Sequence, residues 1–197
     1  MAACSMHESN ELKLVVGLGN PGREYAETRH NVGFKTIDLL AEHLNIDLKK
    51  RKFAARFGTG HYKGKQVILI KPWQFMNQSG HSVAVAKGFY HIDLQDILVV
   101  MDDMWLSPGT IRLRASGSTG GHNGLADIIE KLGTEHFSRL RIGIGRPERQ
   151  DPYDYVLSDF TDEQKPLIRQ AIEKGKQAVL KWITDGIEKA MNEFNVK

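Results

Sequence analysis

Short apolar runs ending in turn residues alternate with stretches of helical periodicity, a glycine-rich turn separates the first such pair, and no long linker or internal repeat interrupts the series. These observations predict a single α/β domain, with a twisted, mixed and mostly parallel sheet that carries helices on both faces. Residues 12–18 (LKLVVGL) run into Gly19-Asn20-Pro21-Gly22, the pattern of a buried strand feeding a tight turn. Phe34, Ile37, Leu40, Ala41 and Leu44 then recur at spacings of three and four, which predicts an amphipathic helix over 31–44. Residues 67–70 and 97–101 are compact runs rich in β-branched side chains and read as interior strands, with a helical stretch near 79–90 between them. Ile111 and Leu113 alternate with Arg112 and Arg114, as Leu140, Ile142 and Ile144 do with Arg139 and Arg141. Two further strands follow, each expected to turn one basic face outward. Residues 122–132 read as a helix with Leu125, Ile128, Ile129 and Leu132 inward. Thr161 and Gln164 resemble a capping box, so one C-terminal helical segment starts near 162, blurred by Pro166, and another runs through 174–194.

The chain has 197 residues, 41% of them hydrophobic and 26% charged, enough apolar material for one core and too much for intrinsic disorder. The first eleven residues are polar and are expected to form a flexible extension, leaving 12–197 as the domain. One cysteine, Cys4, excludes an intramolecular disulfide framework and a Cys-cluster zinc site. The N-terminal stretch carries neither a basic n-region nor an apolar h-region, and no run reaches the ~20 apolar residues of a membrane span. A soluble, cytoplasmic, monomeric protein is expected. The net charge of +3 conceals local bias: residues 47–71 sum to +7 and 109–150 to +3, against −2, −3 and −2 for residues 1–46, 72–108 and 151–197.

Gly17-Leu18-Gly19-Asn20-Pro21-Gly22 satisfies the G-x-G-x-x-G pattern of a dinucleotide-binding turn. That reading needs an acidic residue about twenty positions on, at the end of a second strand. Asp38, the residue available, falls inside the helical pattern, so the turn is read as a loop shaped for close packing or for a site of another kind. Asn20 and then Thr28-Arg29-His30-Asn31 place an amide, an imidazole and a guanidinium just past the C-terminal end of a strand, where α/β sheets build their sites.

At this point GLGNPGREYAETRHNVGF (17–34) resembles the signature of the bacterial peptidyl-tRNA hydrolases. KPWQFMNQSG (71–80), ILVVMDD (97–103), RLRASGSTGGHNGLADIIEKLG (112–133), RLRIGIG (139–145) and WITDGIEKAMNEF (182–194) resemble the same family in the same order. The resemblance implies hydrolysis of the ester between a peptide and the 3′ ribose of tRNA, with the acceptor end and 3′ terminus of peptidyl-tRNA as partner and no cofactor. Such hydrolysis needs a base for water and donors for the developing oxyanion. His30 is the candidate base, and Asp102, at the end of an apolar strand, matches the position that orients it, with Asp103 as runner-up. Asn20, Asn77 and Asn123 are amides able to donate to carbonyl oxygens without changing charge. By resemblance Asn20 belongs with the catalytic pair and senses the acylated amino group, Asn77 and Asn123 hold the peptidyl and 3′ end, and Tyr25 and Phe75 supply apolar surface. His122 either touches substrate or only shapes its glycine-rich turn.

No G-x-S-x-G elbow, H-E-x-x-H helix or P-loop is present, and no pair among His30, His122, Asp102 and Asp103 has helical ligand spacing, so no metal is expected. Residues 48–71 contain eight cations and no acid, interleaved with Phe53, Phe57 and Tyr62. This run suits a polyanion, or else a solvated loop and a lysine-protected edge strand. Arg114 and Arg141 match positions where the family meets tRNA phosphates and are favoured over the 49–52 run. Departures from the family pattern are Trp105, where an acid is common, Gln74 before Phe75, and Ser116 and Ser118, where glycines are typical. A less mobile loop near 115–121 is expected from the two serines. A non-catalytic RNA-binding protein on the same scaffold is the alternative, and a nicotinamide-dependent enzyme a distant third.

Overall fold

The computed structural model describes residues 12–147 and 149–195; the expected N-terminal extension lies outside the described residues. Seven strands, β1 (Leu12–Gly17), β2 (Lys50–Lys52), β3 (Ala55–Tyr62), β4 (Lys65–Pro72), β5 (Ile97–Asp103), β6 (Ile111–Arg114) and β7 (Ser138–Gly143), form one sheet in the order β2-β3-β4-β1-β5-β7-β6. The central run β4-β1-β5-β7 is parallel, while β2, β3 and β6 pair antiparallel at the two sides. Parallel strands are covered on both faces, which is why β5 is buried along its whole length and reads as a continuous apolar run.

Alternate residues of the strands feed two cores. Val15, Leu69, Val100 and Leu140 pack with Ile37 and Leu40 of α1 (Val32–Leu44) and with Val179 and Trp182 of α5 (Gln164–Phe194). Val16, Ile70 and Val99 pack on the opposite face with Val83 of α2 (Ser79–Tyr90) and Leu125 and Ile128 of α3 (Asn123–Leu132). A short α4 (Pro152–Val156) adds Val156 to the first core.

The glycine-rich motif is explained by contact. A Cβ on Gly33 would lie 2.4 Å from the Leu18 carbonyl oxygen and 2.5 Å from that of Val100, and one on Gly17 would lie 2.5 Å from the Gly33 carbonyl. The first turn of α1 therefore lies directly on the C-terminal ends of β1 and β5.

Two expectations are corrected, and one strand is found that the sequence reading did not include. Strand β3 carried no apolar signal because Gly58 and Gly60 stand where Ile46 packs, 2.5 and 2.6 Å from where their Cβ atoms would be. The C-terminal helix runs unbroken past 174 and kinks instead at Gly186, whose φ of 81° a side chain would resist. Pro166 sits in its first turn, where no amide donor is needed. Arg139, expected to face outward, is 2% exposed, since its guanidinium is taken up by backbone carbonyls.

Candidate active site

Because β1, β4, β5 and β7 are parallel, their C-terminal ends and the loops that follow gather at one edge of the sheet. A cavity of about 890 Å³ opens there, lined by the turn after β1, the segment after β4, the end of β5, the loop 116–121 and the start of α3. Burial of α1 against the strand ends seats the preceding turn, Arg29–Asn31, beside the cavity, with His30 in its wall.

Asp102, 3% exposed, accepts two hydrogen bonds on one oxygen, from His30 Nδ1 at 2.8 Å and His122 Nε2 at 3.1 Å. Burial alone would raise its pKa; the charge and hydrogen bonds of the two imidazoles outweigh that and hold the carboxyl far below the usual carboxylate range. An ionised carboxylate only accepts, so both ring nitrogens facing it are donors. His122 is also the N-cap of α3, its Nδ1 accepting from the Leu125 amide at 3.2 Å. Both of its nitrogens are thereby committed. His30 keeps Nε2 unpartnered among the described residues, with a lone pair available in the neutral ring. The geometry thus separates two histidines whose ring centroids are 5.0 Å apart: one can take a proton from water, the other locks the carboxylate.

Asn20 is fixed from both sides. Its backbone amide donates to Asn31 Oδ1 at 2.7 Å, Asn31 Nδ2 donates to its carbonyl at 3.0 Å, and its own Oδ1 accepts from the Met76 amide at 2.9 Å. Its Nδ2 donor has no partner among the described residues. Asn77 and Asn123 are exposed on the cavity wall, as is Phe75, 60% exposed. Arg114, Arg139 and Arg141 line one end, and in the register of β6 and β7 Arg112 stands opposite Arg141 and Arg114 opposite Arg139. Like charges directly opposite are unfavourable, and the carboxylate compensating them here is Asp103, which accepts from Arg141 Nε. Arg139 bonds the carbonyls of Gly117, Glu135 and Phe137 and so ties the loop to the sheet.

The sequence profile of the peptidyl-tRNA hydrolases matches residues 14–197. The chain belongs to the peptidyl-tRNA hydrolase family. It is 50% identical over 182 residues to the peptidyl-tRNA hydrolase of Caldanaerobacter subterraneus subsp. tengcongensis, covering 92% of this chain and 98% of that protein. Against the peptidyl-tRNA hydrolase of Geobacillus thermodenitrificans the figures are 49% over 185 residues, 93% and 100%. The crystal structure of the Acinetobacter baumannii peptidyl-tRNA hydrolase superposes with a TM-score of 0.90 at 40% identity, over 95% of this chain and 96% of that one.

Within this member of the peptidyl-tRNA hydrolase family, the structure brings His30, Asp102, Asn20, Phe75, Asn77, Asn123, Arg114 and Arg141 to one cavity. Tyr25 is half-buried in the turn Arg23–Tyr25 and is absent from the cavity lining; its carbonyl accepts from Thr28 Oγ1 at 2.8 Å. Arg29 points away from the site, bonding Ser158 Oγ and Gln164 Oε1 at 2.8 Å each, with Tyr155 and Phe160 against its guanidinium. Asp103, the runner-up to Asp102, is occupied by Arg141 and by the Trp105 amide. The amide of Gly80, close to Asn77 in sequence, donates to Asp127 Oδ2 at 2.6 Å. Sequence reasoning left Asn31 unassigned and His122 undecided, although both lie beside residues it did assign. Among the described residues His30, Asp102 and His122 form a group that could hold a metal ion, their ligand atoms all within 4.8 Å of one another. A cation there would replace both imidazole–carboxylate hydrogen bonds.

Proposed function

We propose that this chain hydrolyses the ester between an N-blocked aminoacyl or peptidyl group and the 3′ ribose of tRNA, with His30 as general base and no metal cofactor. The observation that carries the reading is the Asp102 carboxylate holding His30 by Nδ1 while Nε2 stays free. His30 Nε2 takes a proton from water as the water oxygen attacks the ester carbonyl carbon. Asp102 stabilises the imidazolium that results. The oxyanion is met by amide donors, for which Asn20 Nδ2 and Asn123 are placed on the wall. Collapse breaks the bond to the ribose oxygen, and the imidazolium returns the proton to that oxygen. The products are a peptide with a free carboxylate and a tRNA with a free 3′ hydroxyl. Arg114 and Arg141 meet the phosphates of the acceptor end, and Asn77 with Phe75 lies along the peptidyl group. Among the described residues no helix is long and apolar enough to cross a membrane; action on free tRNA in the cytoplasm, as a monomer, is part of the proposal.

The test is release of an N-acylated amino acid from tRNA by wild type and by His30→Ala. The variant should lose about 10²–10⁴-fold in kcat, the size of a general-base contribution, while the wild type keeps full activity after exhaustive chelation. Binding of tRNA without turnover by the wild type would instead support the non-catalytic RNA-binding reading, and activity lost on chelation and restored by zinc or magnesium would assign the His30–Asp102–His122 group to a metal.

A further inference from the structure

The cationic segment between α1 and β4 plays no part in the site, yet it is built with care. β2 is Lys50-Arg51-Lys52, exposed throughout, at one edge of the sheet. The two residues joining it to β3, Phe53 and Ala54, have φ of 57° and 51°, a type I′ turn that ordinarily calls for Asn-Gly. Tertiary contacts hold it there. The Ala54 carbonyl accepts from the Trp73 amide at 2.8 Å and from Ser82 Oγ at 3.2 Å, while the Phe53 ring packs on Phe57, Phe89 and Tyr90 at centroid distances of 5.4–5.9 Å. The ribbon is therefore a rigid presentation of charge and not a loose loop.

Across the strands Arg51 stands opposite Arg56, and Arg56 opposite Lys71. Lys71 pairs with Asp38, whereas Lys49, Lys50, Arg51, Lys52 and Arg56 hold no ion pair among the described residues. Protection of a sheet edge needs cations on the edge strand; it gives no reason to continue them inward onto β3 and β4, where directly opposed like charges destabilise. The row also has a defined place. Lys52 pairs with Ala55 and Ala55 with Pro72, at the C-terminal end of β4, and the cavity wall begins three residues later at Phe75. With strands ~4.8 Å apart, β2 lies roughly 14 Å to one side of β1, while Arg114 and Arg141 lie on the other side of the cavity.

We propose that the β2–β3 ribbon, through Lys49, Lys50 and Arg51, is a second contact for the phosphate backbone of the tRNA, independent of Arg114 and Arg141. The proposal rests on the tRNA-ester reading above. Lys50 and Arg51 lie on opposite faces of the edge strand, so these cations wrap the sheet edge; spaced phosphates passing that edge are the partner such charges without ion pairs fit, and each phosphate neutralised releases counterions. The test compares the full chain with a K49Q/K50Q/R51Q variant, and with the charge-retaining K49R/K50R/R51K, in three measurements: affinity for deacylated tRNA over a salt series, hydrolysis of peptidyl-tRNA, and hydrolysis of an N-acylaminoacyl ester of a trinucleotide. Loss of three contacts should weaken tRNA binding roughly tenfold near 0.1 M salt and flatten the slope of log K against log salt by about 2–3. Cleavage of the trinucleotide ester should not change, and the charge-retaining variant should match wild type. Unchanged tRNA affinity overturns the proposal, and self-association of the glutamine variant at unchanged affinity would reassign the ribbon to edge protection. A defect confined to esters of acidic peptides also overturns it and assigns the ribbon to the peptide. A wild type that binds tRNA with the predicted salt slope but hydrolyses neither ester would overturn the tRNA-ester reading and leave the ribbon's role standing.

Discussion

Asp102 decides the chemistry of its neighbours because it is ionised where a carboxyl group would ordinarily not stay so. Its pKa is depressed in the folded chain, so relative to an unfolded value of about 3.9 its contribution to stability is present above that pH and is lost as pH falls through the folded value. Across the range in which an enzyme of this kind is assayed it remains a carboxylate. The acid limb of the rate profile should accordingly contain no step from Asp102. Asp102→Asn should remove the fixed tautomer of His30 and lower kcat/KM by about 10²–10⁴-fold; a loss of less than tenfold with an unaltered pH profile would contradict the assignment. At this scale the candidate residues were legible from sequence because His30, Asp102 and Asn20 stand in blocks that resemble those of the family. Their partners were not. His122 and His30 meet on one oxygen although 92 positions separate them, and Arg29, next to His30, turns the other way because Tyr155 and Phe160 offer its guanidinium two ring faces.

Elements carry the site by lying close to one another. The turn bearing His30 is fixed by the approach of α1 to the ends of β1 and β5, which depends on Gly33. Gly33→Ala would bring a methyl group to 2.4 Å from a backbone oxygen that cannot swing aside. We expect a loss of about 1–3 kcal/mol, read as several degrees in Tm, together with a fall in kcat as His30 shifts; an alanine variant with wild-type melting would show the contact to be slack. Helices α1, α2 and α3 and the strands β1, β4, β5, β6 and β7 were legible because apolar periodicity is a local property. Strand β3 was not, since Gly58 and Gly60 exist for the sake of Ile46, a residue outside the strand. The division expected near 174 does not occur: a Cβ on Gly175 would lie 3.3 Å from Leu140 Cδ2 within a helix that continues, and the residue that bends the chain, Gly186, lies a further three turns on.

For the whole molecule, the sheet order puts His30 and Asp102 between two cationic flanks, β6–β7 on one side and β2–β3 on the other. The β6–β7 flank sets four arginines in opposed pairs, with Asp103 bonded to Arg141 and Glu135 acting on Arg139, and leaves Arg112 and Arg114 without an ion pair among the described residues, an arrangement that an anion would complete. The double variant Arg114→Gln, Arg141→Gln should weaken tRNA binding and reduce its salt dependence by about 2 in slope, leaving trinucleotide esters nearly unaffected; equal damage to both substrates would make the two arginines structural. The sequence by itself determined the α/β class, the family and the concentration of positive charge in two segments, and it singled out the candidate site residues, because periodicity, motif and composition are properties of short stretches of chain. Only the tertiary structure decided which histidine has a free nitrogen, which aspartate serves it, that Arg139 is buried, and that the two basic segments flank one cavity. Each of those depends on strand order and on which groups satisfy one another's hydrogen bonds once buried, and burial is decided by the whole chain at once.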